Sequence, residues 1–393
     1  MKNLTPRYSL TQFTFWAAYS GTTSFATTYL LDQGLSSGTV GVLLALSGIG
    51  SCLAQPVLAA RVDRAKGFLL TKILLSLSIL CFSCFSLLLI PRLPQAPIAV
   101  LYTAGLWSND VMIPLLNALC VSFRQAGYPI NYGAARGIGS TATAISSLVI
   151  GFVIVRLGMV WMLLLLLLIR SLCIFSLMGY PKLQKPEPAT RAIRDSCSLS
   201  RFFQQYPRYC LTLLGIAFLG MFLAMTENYL IAIVSAFGGN SSHVGTALFL
   251  SSLVTAPVIF CFDRIHARLS DAALLRIAAV TFLIRAVCLL FAAKSISAVY
   301  LLQLLHTTSY GFLHPTQVSY AGAMVRPADM VKGQAFSTAA YALGCSAGNL
   351  AGGIALGFGV RAMLAAGVVM AGIGTGILFF TTAKSSPEGG RSK

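Results

Sequence analysis

The chain has 393 residues, of which 56% are apolar and only 10% are charged, and its mean hydropathy is +0.80. Soluble domains carry about a quarter charged residues, so this composition excludes an ordinary soluble globular protein. The 28 basic and 10 acidic residues leave a net charge of +18. On a soluble protein this excess would indicate nucleic-acid binding, whereas on a membrane protein it reports the orientation of the loops.

Twelve apolar stretches follow one another, each near the ~20 residues that a helix needs to cross a hydrocarbon core of about 30 Å. Short polar breaks separate them, such as residues 91–94, 156–158 and 238–240. The pattern predicts an all-α polytopic membrane protein with twelve transmembrane helices. Their expected ranges are 11–32, 37–60, 68–90, 98–122, 132–156, 158–178, 208–236, 243–262, 272–293, 297–324, 330–356 and 360–382.

The basic residues are distributed unevenly between the loops on the two sides. If the N-terminus is cytoplasmic, twenty-one of them lie in the inside segments and four in the outside loops. The positive-inside rule therefore predicts that both termini are cytoplasmic, in a cell membrane of the bacterial inner-membrane type. Most of the net charge then faces the membrane surface and its lipids, and we expect no nucleic-acid partner.

A polar segment at 179–207, the longest in the chain, divides six spans from six more. The two halves repeat four landmarks in the same order, at offsets of 200 to 204 residues. These are Tyr29 and Tyr229, Gly41 and Gly245, Pro56 and Pro257, and Asp63-Arg64 and Asp263-Arg264. The parallel repeat predicts two pseudo-symmetric six-helix bundles. We expect an N-terminal bundle over 1–178, a cytoplasmic linker over 179–207, and a C-terminal bundle with a short tail over 208–393.

The Asp-Arg pairs, Asp63-Arg64 and Asp263-Arg264, each follow the second helix of their half. An Asp at this place can cap a helix or pair with a basic residue of the other half, and so hold one side of the protein closed. The alternative is a set of solvated loop charges worth under ~1 kcal/mol. Recurrence in both halves favours the gating role.

Ionisable residues within a span are costly and mark functional sites, and this chain has few. Glu227, Arg285 and His306 each lie eight or nine residues from the outer end of their helices. At 1.5 Å per residue they share a depth of about 12 to 14 Å, as one polar site requires. Glu227 could carry a proton, Arg285 could hold it ionised, and His306 titrates nearest neutrality. The alternative is a structural Glu-Arg pair with His306 bonded to a neighbouring helix.

The first half holds three further ionisable residues within spans. Asp110, a second candidate for proton coupling, lies in the middle of span four. Arg136 opens span five, and Arg170 lies deep in the leucine-rich sixth span without an evident partner. The planar fork of an arginine suits hydroxyl pairs, carboxylates and phosphates, so Arg136 is a candidate substrate ligand. The other expected substrate ligands are Ser140, Thr143, Asn228, Ser252, Thr255 and His306.

Several segments resemble those of a known family. Residues 132–140 (YGAARGIGS) resemble the helix-five motif of the lactose permease group of oligosaccharide:proton symporters, within the major facilitator superfamily. Residues 282–285 are similar to their helix-nine arginine segment, residues 301–306 to their helix-ten histidine segment, and residues 333–336 to the start of their helix eleven. The resemblance implies sugar binding by Arg136, proton coupling by Arg285 and ligand recognition by His306.

The chain also departs from that group at positions that matter for its mechanism. Ser309 and Ser252 stand where the permease has acids, and Thr143 stands where it has a tryptophan that stacks on galactose. Galactoside transport by the familiar mechanism is therefore disfavoured. A coupling proton must be carried by Glu227 or Asp110; otherwise the protein is a facilitator or uses another ion.

Together these observations predict a secondary transporter that moves a sugar-like or nucleoside-like solute by alternating access, with a coupling proton. A drug or metabolite exporter of the same fold and a nontransporting membrane sensor or scaffold stay open as alternatives. An enzyme is disfavoured because the long loop holds Glu187 and Asp195 but no histidine. We expect a monomer with no cofactor and no bound metal, whose partners are the substrate, the proton and membrane lipid.

Overall fold

The computed structural model describes residues 3–64, 69–181, 199–326 and 329–382. Every regular element in these ranges is helical, which confirms the predicted all-α fold. The first bundle comprises α1 (Thr5–Ser24), α2 (Ala26–Asp32), α3 (Ser37–Arg64), α4 (Leu69–Leu87), α5 (Gln95–Gln125), α6 (Tyr132–Leu157) and α7 (Met159–Met178). After the short α8 (Leu199–Gln205), the second bundle comprises α9 (Pro207–Glu227), α10 (Leu230–Ser235), α11 (Ser241–Phe260), α12 (Phe262–His266), α13 (Asp271–Phe291), α14 (Ile296–Gln303), α15 (Tyr310–Met324), α16 (Met330–Leu356) and α17 (Val360–Thr382).

The spans differ in how continuous they are. Among the described residues, ten helices are long and apolar enough to cross a membrane. The first predicted span is instead broken at Phe25, between α1 and α2, and the tenth passes through a 3-10 turn at Leu304–Thr307. The seventh is also interrupted, since α9 ends at Glu227 and α10 begins at Leu230. Broken helices free backbone groups and are typical of binding sites within membranes.

Polar caps and one glycine set several helix boundaries. The side chains of Asn131 and Asn240 accept hydrogen bonds from backbone N–H groups in the first turns of α6 and α11. Ser270 and Ser295 cap α13 and α14 in the same way. Gly158 has a φ of +95°, in the left-handed region that favours glycine. This single residue therefore ends α6 and begins α7.

Each bundle has its own helix packing, and two helix pairs join them. In the first bundle α1 packs on α6 and α7, and α4 packs on α5 and α7. In the second bundle α9 packs on α16 and α17, and α13 packs on α15 and α17. Across the bundles α3 packs on α16, and α6 packs on α11. In the repeat α3 corresponds to α11 and α6 to α16, so the two contacts between bundles are pseudo-symmetric.

The outside of the bundles is apolar and the inside holds polar groups. Phe175, Phe291 and Phe380 are each at least 70% exposed, while Arg170 and Arg285 are at most 2% exposed. Exposed apolar surface on this scale is rare in soluble monomers. Contact with lipid accounts for it, in agreement with the apolar helices.

The bundles approach most closely at the face opposite the chain termini, which we call the distal face. There α3 begins and α16 ends, and a Cβ on Gly41 would lie 2.7 Å from the carbonyl oxygen of Asn349 and 3.1 Å from the Cα of Gly353. In the equivalent contact, a Cβ on Gly151 would lie 2.5 Å from the carbonyl oxygen of Ser241 and 3.1 Å from the Cα of Gly245. Only glycine permits backbones to come this close, so both contacts depend on it.

Candidate functional site

The second bundle contains a buried cluster of polar side chains around Arg285. Its Nη2 donates to the carboxylate of Glu227 and, at 2.7 Å, to Oε1 of Gln303. Its Nη1 lies 2.9 Å from Nε2 of His306. The structure thus brings together the three residues that share a depth in the sequence. It adds Gln303, which sequence reasoning missed although it lies one helical turn before His306.

His306 occupies an ambiguous position in this cluster, because one ring nitrogen faces a donor and an acceptor. Its Nε2 lies 2.9 Å from Nη1 of Arg285 and 3.0 Å from Oε1 of Glu227. A ring nitrogen carries either a proton or a lone pair, so it can bond only one of these two groups at a time. A proton on Nε2 favours the bond to Glu227, and its absence favours the bond from Arg285. The cluster therefore has two hydrogen-bonding states.

The helix breaks in the second bundle position this cluster. Glu227 is the last residue of α9, Gln303 is the last residue of α14, and His306 lies in the 3-10 turn that follows. Arg285 alone lies inside a continuous helix, α13. Polar groups are thus supplied by helix ends that converge at one depth, as in other broken-helix membrane sites.

Asp110 on α5 lies apart from that cluster and is held by neutral groups. The hydroxyl of Tyr19 donates to Oδ1 at 3.2 Å, and the hydroxyl of Ser47 donates to Oδ2 at 3.0 Å. Within the described ranges, no Lys, Arg or His forms an ion pair with this carboxylate. Asp110 is therefore an acid inside a span whose charge is not neutralised by a described side chain.

Arg136 on α6 is held by an aromatic ring instead of an acid. Its guanidinium carbon lies 4.1 Å from the centroid of the Trp16 ring on α1. The indole Nε1 donates to Oε1 of Gln12 at 2.7 Å, which fixes the ring. In the part of the chain that the structure describes, no side chain accepts a hydrogen bond from this guanidinium. Its donors are available to a ligand, and Trp16 is a partner that sequence reasoning missed.

The second bundle faces Asp110 and Arg136 with aromatic and imidazole side chains. Arg136 interacts electrostatically with Tyr310 and His314 on α15. Their rings have centroids 5.4 Å apart, and that of His306 lies 6.1 Å from Tyr310. His314, Tyr310 and His306 thus lie one turn apart along the tenth span, from Arg136 to the Arg285 cluster.

The neighbouring helix α16 completes this interface. Tyr341 lies near Tyr19 and Tyr310, and Cys345 lies near Asp110. These groups come from both bundles and meet between them. We refer to them as the central site, whose members are Trp16, Tyr19, Asp110, Arg136, Tyr310, His314, Tyr341 and Cys345.

The other predicted substrate ligands are placed less uniformly. The hydroxyls of Ser140, Thr143 and Thr255 each donate to the carbonyl four residues earlier in their own helix. They can still accept hydrogen bonds from a ligand. Ser252 is half-buried on α11. Asn228 instead donates to Oδ1 of Asn349 at 2.6 Å, beside the distal contact between α3 and α16.

The predicted gating residues are only partly described. The side chains of Asp63 and Arg64 lie outside the described part of the chain. Asp263 and Arg264 lie on α12, where both are exposed and neither forms an ion pair with a described residue. Nearby, Nε2 of His266 lies 2.8 Å from Oδ1 of Asp271, which also accepts a 2.5 Å hydrogen bond from Ser319. The structure therefore pairs a neighbouring histidine, and not Asp263-Arg264, across this loop.

Arg170 on α7 has a polar partner that was not evident from the sequence. Its guanidinium donates to the side-chain oxygen of Asn109 and lies 5.7 Å from the ring of Phe15. Asn109 in turn donates to the hydroxyl of Thr22 at 2.9 Å. Among the described residues, no carboxylate pairs with Arg170. A buried amide therefore holds a buried cation whose charge it does not neutralise.

Comparisons with known proteins agree with this architecture. The sequence model of the MFS_1 like family matches residues 6–365, and no curated protein matches the chain. A solved variant of the nucleoside transporter NupG is similar, with 13% identity and a TM-score of 0.83 over 98% of this chain and 100% of that one. A bacterial homologue of the human lysosomal transporter Spinster, inward-facing and unoccupied, has 12% identity and a TM-score of 0.71 over 97% and 98%. At these identities the structural likeness shows the fold alone.

Proposed function

The chain belongs to the MFS_1 like family, and we propose that it is a secondary transporter that carries a small hydrophilic solute together with a proton. The family match supports the predicted major facilitator fold and a multi-pass membrane transporter. The two bundles alternate access to the central site, without a catalytic residue or a cofactor. The observation that carries this proposal is Asp110, an acid between the bundles with no described cation to neutralise it.

Nucleoside-like solutes are the first substrate class, ahead of sugar-like ones. The central site combines flat aromatic rings with the guanidinium of Arg136, whose donors no described side chain uses, and the carboxylate of Asp110, which accepts only from hydroxyls. This combination suits a planar base joined to a hydroxylated ring. The fold is also similar to that of a nucleoside transporter. We assign substrate contact to Arg136, Ser140, Thr143, Ser252, Thr255 and His306, with Asn228 acting from the distal contact.

Proton coupling is divided between the bundles in this proposal. Glu227 is bonded to Arg285 and His306, and an adjacent cation favours the ionised form of a carboxylate. Asp110 has only hydroxyl donors, so taking up a proton there breaks no ion pair. We therefore assign the transported proton to Asp110. The cluster of Glu227, Arg285 and His306 responds to it through its two hydrogen-bonding states.

The remaining assignments concern placement and movement. We place both termini in the cytoplasm and the protein in the cell membrane, because the inside loops hold most of the basic residues. We keep the domain boundaries expected from the sequence, with bundles over 1–178 and 208–393 and a cytoplasmic linker over 179–207. Asp63, Arg64, Asp263 and Arg264 act as the cytoplasmic gate, and the protein works as a monomer.

Uptake by proteoliposomes tests the proposal. Purified protein is reconstituted with an imposed pH gradient, and entry of a labelled nucleoside, such as cytidine, or of a labelled sugar is followed with and without a protonophore. We expect accumulation that the protonophore abolishes. In Asp110→Asn, accumulation should fall to the equilibrium level while exchange of internal for external substrate continues. Undiminished proton-driven accumulation by Asp110→Asn would contradict the assignment of the coupling acid.

An exporter of hydrophobic cations is the second candidate, because the central site has four aromatic rings and a carboxylate that no described cation neutralises. The rings are those of Trp16, Tyr19, Tyr310 and Tyr341. Aromatic faces attract organic cations. Inhibitor-sensitive efflux of a cationic dye from everted vesicles would favour this function. Dye retention equal to that of empty vesicles would exclude it.

A further inference from the structure

The carboxylate of Asp110 has unused hydrogen-bond acceptor positions. Each of its two oxygens accepts one described hydrogen bond, from Tyr19 at 3.2 Å and from Ser47 at 3.0 Å. An ionised carboxylate offers about four lone-pair positions, so about two are unused. Both existing donors are neutral hydroxyls, which leave the negative charge in place. This oxygen pair is suited to a donor on a ligand.

The groups around this carboxylate favour a flat donor over an acceptor. Tyr19 belongs to the first bundle, and Tyr310 and Tyr341, which lie near it, belong to the second. Phenol rings supply flat surfaces with electron-rich faces. Cys345 on α16 also lies near the carboxylate. Phenol faces beside a carboxylate suit a planar ring that stacks on them with one edge directed at Asp110.

We propose that Asp110 recognises an exocyclic amino group on the planar ring of the substrate. The assignment rests on the proposed transport function and narrows its substrate class to amino-bearing nucleosides, such as cytidine and adenosine. Their oxo counterparts, uridine and inosine, place a carbonyl oxygen against the carboxylate. A site built to bond a donor rejects the analogue that lacks it, because its own acceptor is left unpaired.

Equilibrium binding to the purified full-length protein tests this assignment. Dissociation constants for cytidine and uridine are measured by isothermal titration calorimetry, and adenosine and inosine provide a second pair. We expect wild type to prefer the amino member of each pair by about tenfold, which corresponds to ~1.4 kcal/mol. In Asp110→Asn, whose side chain offers both a donor and an acceptor, the preference should fall to about twofold or less.

Matched variants separate recognition from folding. Asp32 is an exposed acid on α2, outside the central site, so Asp32→Asn should keep the full preference. If Asp110→Asn does not fold, equal binding of the amino and oxo members by wild type still overturns the assignment.

Each result has a distinct meaning. An unchanged preference in Asp110→Asn overturns the assignment, and so does equal binding of the amino and oxo members by wild type, while nucleoside transport stands. Binding of none of the four nucleosides overturns the nucleoside class of the proposed function together with this assignment. Loss of preference in Asp110→Asn alone supports it.

Discussion

In the second bundle the buried arginine is bonded to an acid from another span of the same bundle, whereas in the first bundle the arginine and the acid are apart. Arg285 donates to Glu227, while Arg170 donates to Asn109 and Asp110 accepts from Tyr19 and Ser47. One bundle thus neutralises its charges internally. The other leaves a cation in its packed interior and an anion at the interface. The difference indicates that similar helix arrangements can serve unlike electrostatic roles.

This contrast explains why the two acids are unequal candidates for carrying a proton. Protonating Glu227 disrupts an ion pair and leaves a buried guanidinium uncompensated. Protonating Asp110 removes a charge that no described cation neutralises. The sequence does not distinguish them, because both acids lie at the middle of an apolar span. The hydrogen-bond partners of the two acids in the structure show which one can take up a proton without breaking an ion pair. Four sets of variants test this contrast between the bundles.

Removing Arg285 is expected to have the largest effect. Arg285→Met leaves Glu227 buried without its cation, and loss of one partner from a buried pair costs about 3–5 kcal/mol. Thermal unfolding in detergent should show a clear fall in Tm. The double variant Arg285→Met with Glu227→Gln should recover most of the loss, because it removes the uncompensated charge. A double variant as unstable as the single one would contradict the ion-pair explanation.

The two glycine contacts between the bundles at the distal face test whether the bundles behave alike in contacts that involve no charged side chain. Gly41→Ala and Gly245→Ala each place a methyl group against the backbone of the partner helix. Each should destabilise the closed distal face by about 1–3 kcal/mol, and by similar amounts because the contacts are pseudo-symmetric. Hydrogen exchange over residues 37–44 and 241–248 measures the opening. Gly376→Ala is the control, since its Cβ would have no neighbour within 4 Å. Opening by one substitution only would show that the contacts are not equivalent.

Removing Arg170 should cost less than removing Arg285. Arg170→Met loses the hydrogen bond to Asn109 but leaves no carboxylate without a partner. We expect a loss of about 1 kcal/mol, typical of a single hydrogen bond. The same thermal unfolding assay applies, with Arg285→Met measured alongside. Equal losses for the two variants would remove the contrast between the bundles.

The smallest expected effect concerns the ring that holds Arg136. Trp16→Leu removes a cation-π contact worth about 0.5–1 kcal/mol, so substrate affinity should fall by about two- to fivefold. Calorimetric titration with the transported substrate measures it. Trp161→Leu is the matched control, because that ring is 54% exposed on the outside of the bundles. An affinity unchanged by Trp16→Leu would separate the ring from ligand binding.

The depth of a residue along its membrane-spanning helix could be predicted from the sequence, whereas the face of the helix on which the residue lies could not. Glu227, Arg285 and His306 were expected at one depth because the rise per residue is fixed, and the structure brings them into contact. Trp16 and His314 were missed as partners of Arg136, since apolar periodicity is weak when every face of a helix is apolar. The break at Phe25 was missed because the apolar sequence continues through it.

The unpaired state of Arg170 has a consequence for the response to membrane voltage. An arginine is always charged, so the interior of the first bundle carries a fixed positive charge that no described acid cancels. Moving one elementary charge through the full membrane potential involves about 2.3 kcal/mol per 100 mV. Together with Arg136 and Asp110, Arg170 leaves the spans of the first bundle with a net charge of about +1, so displacing this bundle along the membrane normal does electrical work. The charges of Arg285 and Glu227 cancel when the second bundle moves. The energised membrane acts on one half of the molecule more strongly than on the other.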